Sequence, residues 1–258
     1  MSFETDGYEL CKGLIDRATI RQIRAEMVDI MKPYCDAKVV GPDDLDEAFA
    51  QVTKRGAALR SNVLKLSSRL ASLPLLLADP GIRRKIGEVG IRTPVIQAYS
   101  VLCMEPFVEK FLFEPHQDLK QRTSLKALGF WVPLSEGPAI GGLGVIKGSH
   151  KKGPLHHGLS PRGHLELPPD TYAGLPRAEV TGYEEGDCLL FSPYVVHWSI
   201  PNEGKGLRWT LSMKIDEVSA SAHLADSIHP FVIEDYIDTR SNEERIAEAL
   251  RRASHGTQ

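Results

Sequence analysis

Apolar residues in the first third of the chain recur with the period of a helix. Between residues 15 and 31 apolar side chains recur at roughly helical spacing, and Pro33 closes the run. We therefore predict an amphipathic helix that lies on a core. The stretch 45–77 is also helical in pattern and breaks at Pro74 and at Asp79-Pro80-Gly81. Its interleaved basic residues, which we interpret as a solvated helical face, are Lys54, Arg55, Arg60, Lys65 and Arg69.

After Gly90 the pattern changes to short β-type runs that are separated by Gly and Pro. These runs cover residues 95–104, 126–134, 144–147, 188–191, 195–200 and 207–215. Several short strands at such spacing predict a sandwich or barrel rather than alternating strands and helices. The intervening segment 151–176 is rich in Gly, Pro and His, and we interpret it as a lid loop. A last helix is predicted at 242–253, with Ser241 as its N-cap and Glu244 completing a capping box.

Composition and charge narrow the classes of partner. The 258 residues are 42% hydrophobic and 25% charged, which is typical of a globular protein with one or at most two domains. A net charge of −3 gives no basic surplus for binding nucleic acid. No apolar run is long enough for a membrane span, and the amino terminus does not resemble a signal peptide. The four cysteines are scattered. We expect a cytoplasmic protein that binds neither nucleic acid nor membrane.

The tripeptide His116-Gln117-Asp118 is the first candidate for chemistry. Residues two apart on an extended strand project to the same side, so His116 and Asp118 can reach one metal ion. Alone, the motif is weak, because such triplets arise often by chance.

A second candidate is formed by His197 and Arg208. His197 ends an apolar run, and Arg208 follows a turn-rich segment at 201–206 and begins the next β-type run. If the two runs form a hairpin, its centre places His197 and Arg208 nearly opposite each other on adjacent antiparallel strands. We therefore predict that they share a face.

These residues suit iron(II) together with a 2-oxo acid. Two histidines and one carboxylate on one face of an octahedral iron leave three positions open, enough for a chelating 2-oxo acid and dioxygen. A guanidinium at Arg208 can bind the far carboxylate of 2-oxoglutarate through two parallel hydrogen bonds. Thr210 and Ser212 share the Arg208 face and are candidates for the same carboxylate.

At this point the sequence resembles the phytanoyl-CoA dioxygenases, a family within the iron(II), 2-oxoglutarate-dependent oxygenases. The resemblance covers most of the chain. It begins with residues 6–10 and 13–15, which are similar to the opening strand and first helix. It continues through 115–119 with the H-x-D segment, 129–134 with a tryptophan-bearing strand, and 141–150 with a G-x-L-x-x-x-x-G-S-H segment. It ends with Gly186-Asp187, then His197 and Arg208.

The resemblance implies a mainly β fold with flanking helices, a double-stranded β-helix or cupin-like jelly roll. It also implies one domain over 1–258, with a helical part at about 1–90, a jelly-roll core at about 91–216 and a C-terminal extension at 217–258. Trp131, Gln97 and Tyr99 would then line the co-substrate pocket. The metal would be Fe(II) held by His116, Asp118 and His197, with 2-oxoglutarate and O2 as co-substrates and ascorbate as a possible reductant.

The implied activity is oxidation, by preference hydroxylation, of a small metabolite of specialised metabolism, with release of succinate and CO2. His156, His157 and Arg162 of the predicted lid are candidate substrate contacts. Halogenation is disfavoured, because Asp118 occupies the position that a halide would need. Two alternatives stay open: a cupin-type enzyme that uses zinc or another divalent ion, and a catalytically silent barrel that binds a small ligand. The substrate and the oligomeric state also stay open.

Overall fold

A computed structural model describes residues 2–109, 112–119, 126–137, 139–161 and 163–217. Its helices precede most of its strands. The α-helices are α1 Phe3–Asp6, α2 Arg17–Met31, α3 Leu45–Arg55, α4 Ala57–Ser67, α5 Ser72–Leu75 and α6 Pro80–Glu88. The strands are β1 Tyr8–Cys11, β2 Pro94–Met104, β3 Ala127–Pro133, β4 Gly142–Ile146, β5 Gly158–Leu159, β6 Leu165–Glu166, β7 Arg177–Val180, β8 Cys188–Phe191, β9 His197–Ile200 and β10 Arg208–Glu217.

Helix α2 confirms the prediction from the apolar period. Asp16 caps its N-terminus by accepting a hydrogen bond from the Ala18 amide at 3.3 Å. Its buried residues fall on one face of the helix, as the spacing requires: Ile20, Ile23, Met27, Val28 and Met31. Full burial of each such side chain contributes about 1.5–3 kcal/mol, so this face holds the helix on the core.

The helical stretch 45–77 is divided more than its sequence predicts. Gly56 has φ +134, a backbone conformation that side-chain-bearing residues rarely adopt, and it separates α3 from α4. Asp79 and Pro80 do end the stretch, but they also begin α6. The Asp79 carboxylate accepts from the amides of Gly81 and Ile82 at 2.8 and 2.9 Å, and proline suits the first helical position.

The strands form two antiparallel sheets and a short two-stranded hairpin. The major sheet has the order β1-β8-β3-β10-β2, the minor sheet has the order β7-β4-β9, and β5 pairs with β6. This jelly-roll arrangement confirms the predicted fold class. One core lies between the helices and the major sheet, and a second lies between the two sheets.

Strand β10 alternates between these two environments. Trp209, Leu211 and Met213 pack into the helical core. Arg208 and Thr210 belong to the opposite set, which also contains Ser212 and Lys214 and faces the interior between the sheets. A period of two therefore gives one strand an apolar side and a polar side.

The hairpin predicted between His197 and Arg208 is wrong, although the two residues do approach each other. Strand β9 pairs with β4 in the minor sheet, whereas β10 pairs with β2 and β3 in the major sheet. The connection at 201–207 crosses from one sheet to the other. His197 and Arg208 therefore face a common interior across the two sheets, not along one ladder.

The described helices also bear on whether the chain could span a membrane. None of its described helices combines the length and the apolar character needed to cross a bilayer. The helix predicted at 242–253 lies outside the described residues.

Candidate metal centre and co-substrate pocket

The predicted triad comes together at one end of the interior. The candidate ligand atoms of His116, Asp118 and His197 all lie within 4.8 Å of one another. His116 and His197 form an isolated antiparallel bridge, in which each backbone amide donates to the other's carbonyl at 3.0 Å. The amide of Asp118 donates to the Pro193 carbonyl at 2.9 Å. Backbone hydrogen bonds thus hold the H-x-D segment against the first residue of β9 and the loop before it.

Both histidines are prepared as neutral ligands. The Nδ1 atom of His116 lies 2.7 Å from the Glu114 carbonyl, and that of His197 lies 3.0 Å from the Val195 carbonyl. A carbonyl only accepts, so each Nδ1 carries the proton and each Nε2 is left with its lone pair for a metal. Burial lowers the pKa of His116 to about 4, and it also lowers the pKa of His197. Neither imidazole needs to lose a proton at neutral pH before binding a metal.

Lys214 is a neighbour of the triad that the sequence analysis did not identify. Its Nζ lies 3.1 Å from Oδ1 of Asp118. Lys214 lies six residues after Arg208 on β10, so the period of two that selects Thr210 and Ser212 selects this residue as well. The alternation could therefore have found it. Its ammonium places a positive charge beside the one anionic member of the triad.

Arg208 is a buried cation with neutral surroundings. The side chain is 4% exposed, and its described partners are the carbonyls of Ile200, Ile140 and Gly142 at 2.6, 3.3 and 3.5 Å and Sδ of Met104 at 2.8 Å. Burial lowers the pKa of Arg208 to about 10. A desolvated guanidinium among neutral groups is a strong site for a carboxylate.

Glycine makes room for this guanidinium. Gly141 has φ +75, and a Cβ there would lie 2.6 Å from Nη1 of Arg208. A side chain at Gly141 would also clash with the Pro201 carbonyl oxygen, and one at Gly142 would clash with the Val180 carbonyl oxygen, so both positions require glycine.

A single chamber of about 420 Å³ joins the metal ligands to Arg208. Its lining includes three residues predicted for the co-substrate, namely Trp131, Thr210 and Ser212. The donor set fits iron(II) with 2-oxoglutarate, because two neutral histidines, one carboxylate and a buried guanidinium all open into the same space.

Tyr99 does not face this chamber, contrary to the sequence expectation, and Gln97 is not among the described residues that line it. On β2, Ser100 and Leu102 face the chamber opposite Ser212 and Thr210, so Tyr99 points to the other side and packs against the helical core. Gln97 falls at a shift in register, where Ala98 pairs with Lys214 but the next pair is Ile96 with Ile215. The physical reason is the pleat, since position 99 has the wrong parity.

The predicted lid is a structured segment, and its histidines differ in placement. His156 is exposed, whereas His157 is 1% exposed and hydrogen-bonds the Gln117 amide behind the triad. Burial lowers the pKa of His157 to about 4. Arg162 lies outside the described residues. His164 lines the chamber, and its ring lies against that of Phe113 with centroids 4.8 Å apart and planes tilted by 32°.

Comparison with known proteins agrees with this geometry. The phytanoyl-CoA dioxygenase (PhyH) family profile matches residues 3–210. A 1-deoxypentalenic acid 11-beta-hydroxylase of Streptomyces exfoliatus is 24% identical over 234 residues, which cover 84% of this chain and 80% of the relative. The corresponding hydroxylase of Streptomyces arenae is 32% identical over 100 residues, about 35% of each chain.

Solved structures share the fold at low identity. The epimerase SnoN, in complex with Fe3+, alpha ketoglutarate and nogalamycin RO, has a TM-score of 0.56 and 18% identity, over 83% of this chain and 80% of that one. EctD from S. alaskensis, with 2-oxoglutarate and 5-hydroxyectoine, has a TM-score of 0.53 and 19% identity, over 84% and 74%. The chain therefore belongs to the phytanoyl-CoA dioxygenase family and is an oxidoreductase of the iron- and 2-oxoglutarate-dependent class.

Proposed function

We propose that His116, Asp118 and His197 hold Fe(II), that Arg208 binds the distal carboxylate of 2-oxoglutarate, and that the protein hydroxylates a small apolar metabolite in the cytoplasm. The observation that carries the proposal is the shared chamber, in which two neutral histidines and one carboxylate face a buried guanidinium. The iron, when bound, supplies oxidative decarboxylation of 2-oxoglutarate to succinate and CO2, coupled to oxygen insertion.

The chain's own residues bind and orient the reactants. Arg208 and Thr210 would receive the distal carboxylate of 2-oxoglutarate at the deep end, beside Trp131. The carbonyl contacts of Arg208 hold its planar fork in one orientation, which a lysine could not reproduce. The hydrogen bonds at Nδ1 fix both imidazole rings, so that each Nε2 would be available to a bound metal without rearrangement.

The outer part of the chamber supports an apolar substrate. Leu102, Phe113 and Trp198 contribute to its walls, and apolar surface predominates in its lining. Arg60 lies among the lining residues, where its guanidinium is held 3.1 Å from Glu105 and 5.2 Å from the Phe49 ring centroid. Since the hydroxylase relatives are named for an acid, we propose apolar carboxylic acids as the first substrates to test, with Arg60 facing the carboxylate.

The test is substrate-stimulated formation of succinate. Purified protein is incubated with Fe(II), 2-oxoglutarate, ascorbate and each of a panel of apolar acids and their methyl esters. We expect an acid to raise succinate above the uncoupled level and to gain one oxygen atom by mass. Asp118→Ala serves as the matched inactive control. Succinate formation that no panel member stimulates, or that Asp118→Ala retains, would contradict the proposal.

A further inference from the structure

The middle residue of the H-x-D segment is fully buried and fully hydrogen-bonded. Gln117 is 0% exposed. Its Nε2 donates to the carbonyls of Gly153 and Tyr194 at 2.9 and 2.6 Å, and its Oε1 accepts from the Leu155 amide at 2.8 Å. A residue that points away from the metal is therefore bound to the start of the predicted lid segment.

His157 completes the same network. Its Nε2 accepts a hydrogen bond from the Gln117 backbone amide at 2.8 Å, and its Nδ1 lies 2.8 Å from the Leu155 carbonyl. The amide can only donate and the carbonyl can only accept, so the ring is neutral and carries its proton on Nδ1. The imidazole thus joins residue 155 to the peptide between the two metal ligands.

This hydrogen bond acts where the metal geometry is decided. The amides of His116 and Asp118 are held by backbone carbonyls of His197 and Pro193. The amide of Gln117 is instead held by the His157 side chain. That amide belongs to the peptide unit between His116 and Gln117. The unit begins at the Cα atom that bears the His116 side chain and ends one residue before Asp118. A rotation of this unit would change the angle between the two ligands.

We propose that His157 is a positioning residue for the metal centre, whose Nε2 fixes the His116–Gln117 peptide so that His116 and Asp118 converge on one ion. The inference rests on the proposed function, since it takes these residues as the iron ligands. His157 is neither among the described lining residues of the chamber nor among the three candidate ligands, and its effect passes through Gln117. Loss of such a supporting hydrogen bond typically weakens metal binding roughly 10- to 100-fold.

Two substitutions separate this role from general packing. In His157→Gln the amide oxygen can occupy the place of Nε2 and accept from the Gln117 amide, while the bond to Leu155 is lost. In His157→Asn the amide nitrogen can occupy the place of Nδ1 and keep the Leu155 bond, while Gln117 loses its acceptor. His156→Asn at the exposed neighbouring position is the matched control.

The experiment is an anaerobic Fe(II) titration in saturating 2-oxoglutarate, followed by the visible charge-transfer band, with the melting temperature of each metal-free protein measured in parallel. We expect His157→Asn to bind iron roughly 10- to 100-fold more weakly. His157→Gln and His156→Asn should stay within a few-fold of wild type. The two His157 variants should lose similar thermal stability, because each loses one buried hydrogen bond.

Three results would overturn the inference. The first is equal iron affinity in His157→Asn and wild type, and the second is equal weakening in both His157 variants in proportion to their melting temperatures. The third result applies if His157→Asn does not fold: iron binding in His157→Gln that is more than tenfold weaker than in wild type would then contradict the role. In all three cases a normal wild-type band leaves the proposed function intact. A wild-type protein without the band overturns the proposed function and this inference together.

Discussion

The two ends of the chamber differ in the charge of their buried groups. At the metal end, two imidazoles are kept neutral by burial and are oriented by backbone carbonyls, with Lys214 beside Asp118. At the other end, Arg208 is a buried cation that contacts carbonyl oxygens and a thioether sulfur. At the metal end the two imidazoles are therefore oriented before a cation binds. At the other end the positive charge of Arg208 is incompletely compensated and favours binding of an anion. Substitutions at the two ends should have separable effects.

The largest effect is expected at the metal end. His197→Ala removes one of three protein ligands, so we expect no iron(II) binding at concentrations that saturate wild type. Iron at about 100 times its Kd should stabilise wild type by roughly 2.7 kcal/mol, and His197→Ala should show no such gain. Thermal unfolding with and without Fe(II) measures this, with exposed His156→Ala as the control. An undiminished iron-dependent stabilisation in His197→Ala would remove His197 from the site.

The next effect is expected at the other end. Arg208→Ala should weaken 2-oxoglutarate binding by on the order of 2 to 5 kcal/mol, roughly thirty-fold to several-thousand-fold, while iron binding stays nearly intact. Arg208→Lys should recover only part of the loss. Because the cation is buried among neutral groups, Arg208→Met should leave the melting temperature of the ligand-free protein unchanged or higher. Turnover at varied 2-oxoglutarate and thermal unfolding check the two halves. Unchanged co-substrate affinity in a folded Arg208→Ala protein would refute the assignment.

The neutral histidines also predict a pH dependence of the metal-free protein. Burial lowers the pKa of His116 and of His157 to about 4, from an unfolded value near 6.5. Between these values the unfolded chain binds more protons, so stability falls as pH drops from about 6.5 to about 4, by at most roughly 1.4 kcal/mol per pH unit for each histidine. Melting temperatures across this range should fall less steeply in His157→Gln. An identical slope in that variant would show that His157 does not contribute.

The smallest effect is expected at Lys214, whose ammonium competes with a metal ion for Asp118. Lys214→Met should bind iron(II) alone several-fold more tightly, because about 1 kcal/mol of repulsion between like charges is removed. Lys214→Arg keeps the charge and is the control. Calorimetric iron titration without 2-oxoglutarate distinguishes the cases. Weaker iron binding in Lys214→Met would mean instead that the lysine orients the carboxylate.

Local patterns in the sequence predicted much of the fold and the site. The apolar period gave α2, a short apolar run gave β8 with its observed bounds, and alternation gave the inner face of β10. Continued along β10, the same alternation also reaches Lys214. These features depend on parity and spacing within one element, which the sequence carries directly.

Features that depend on contacts between distant segments were not predictable in this way. The turn between His197 and Arg208 resembles a hairpin turn, yet it connects two sheets, since each strand finds its partners elsewhere in the chain. The pairing of His157 with Gln117 joins residues forty positions apart. His156 is exposed and the adjacent His157 is buried, and the local sequence does not distinguish the burial of the two histidines.

The central claim is that one chamber holds a metal at His116, Asp118 and His197 and a carboxylate at Arg208. The most direct test is an anaerobic titration of 2-oxoglutarate into the Fe(II)-loaded protein, followed by the visible charge-transfer band, for wild type, His197→Ala and Arg208→Ala. The account predicts a saturable band in wild type, no band in His197→Ala, and in Arg208→Ala a band that appears only at much higher 2-oxoglutarate. A band of wild-type strength and midpoint in either variant would contradict it.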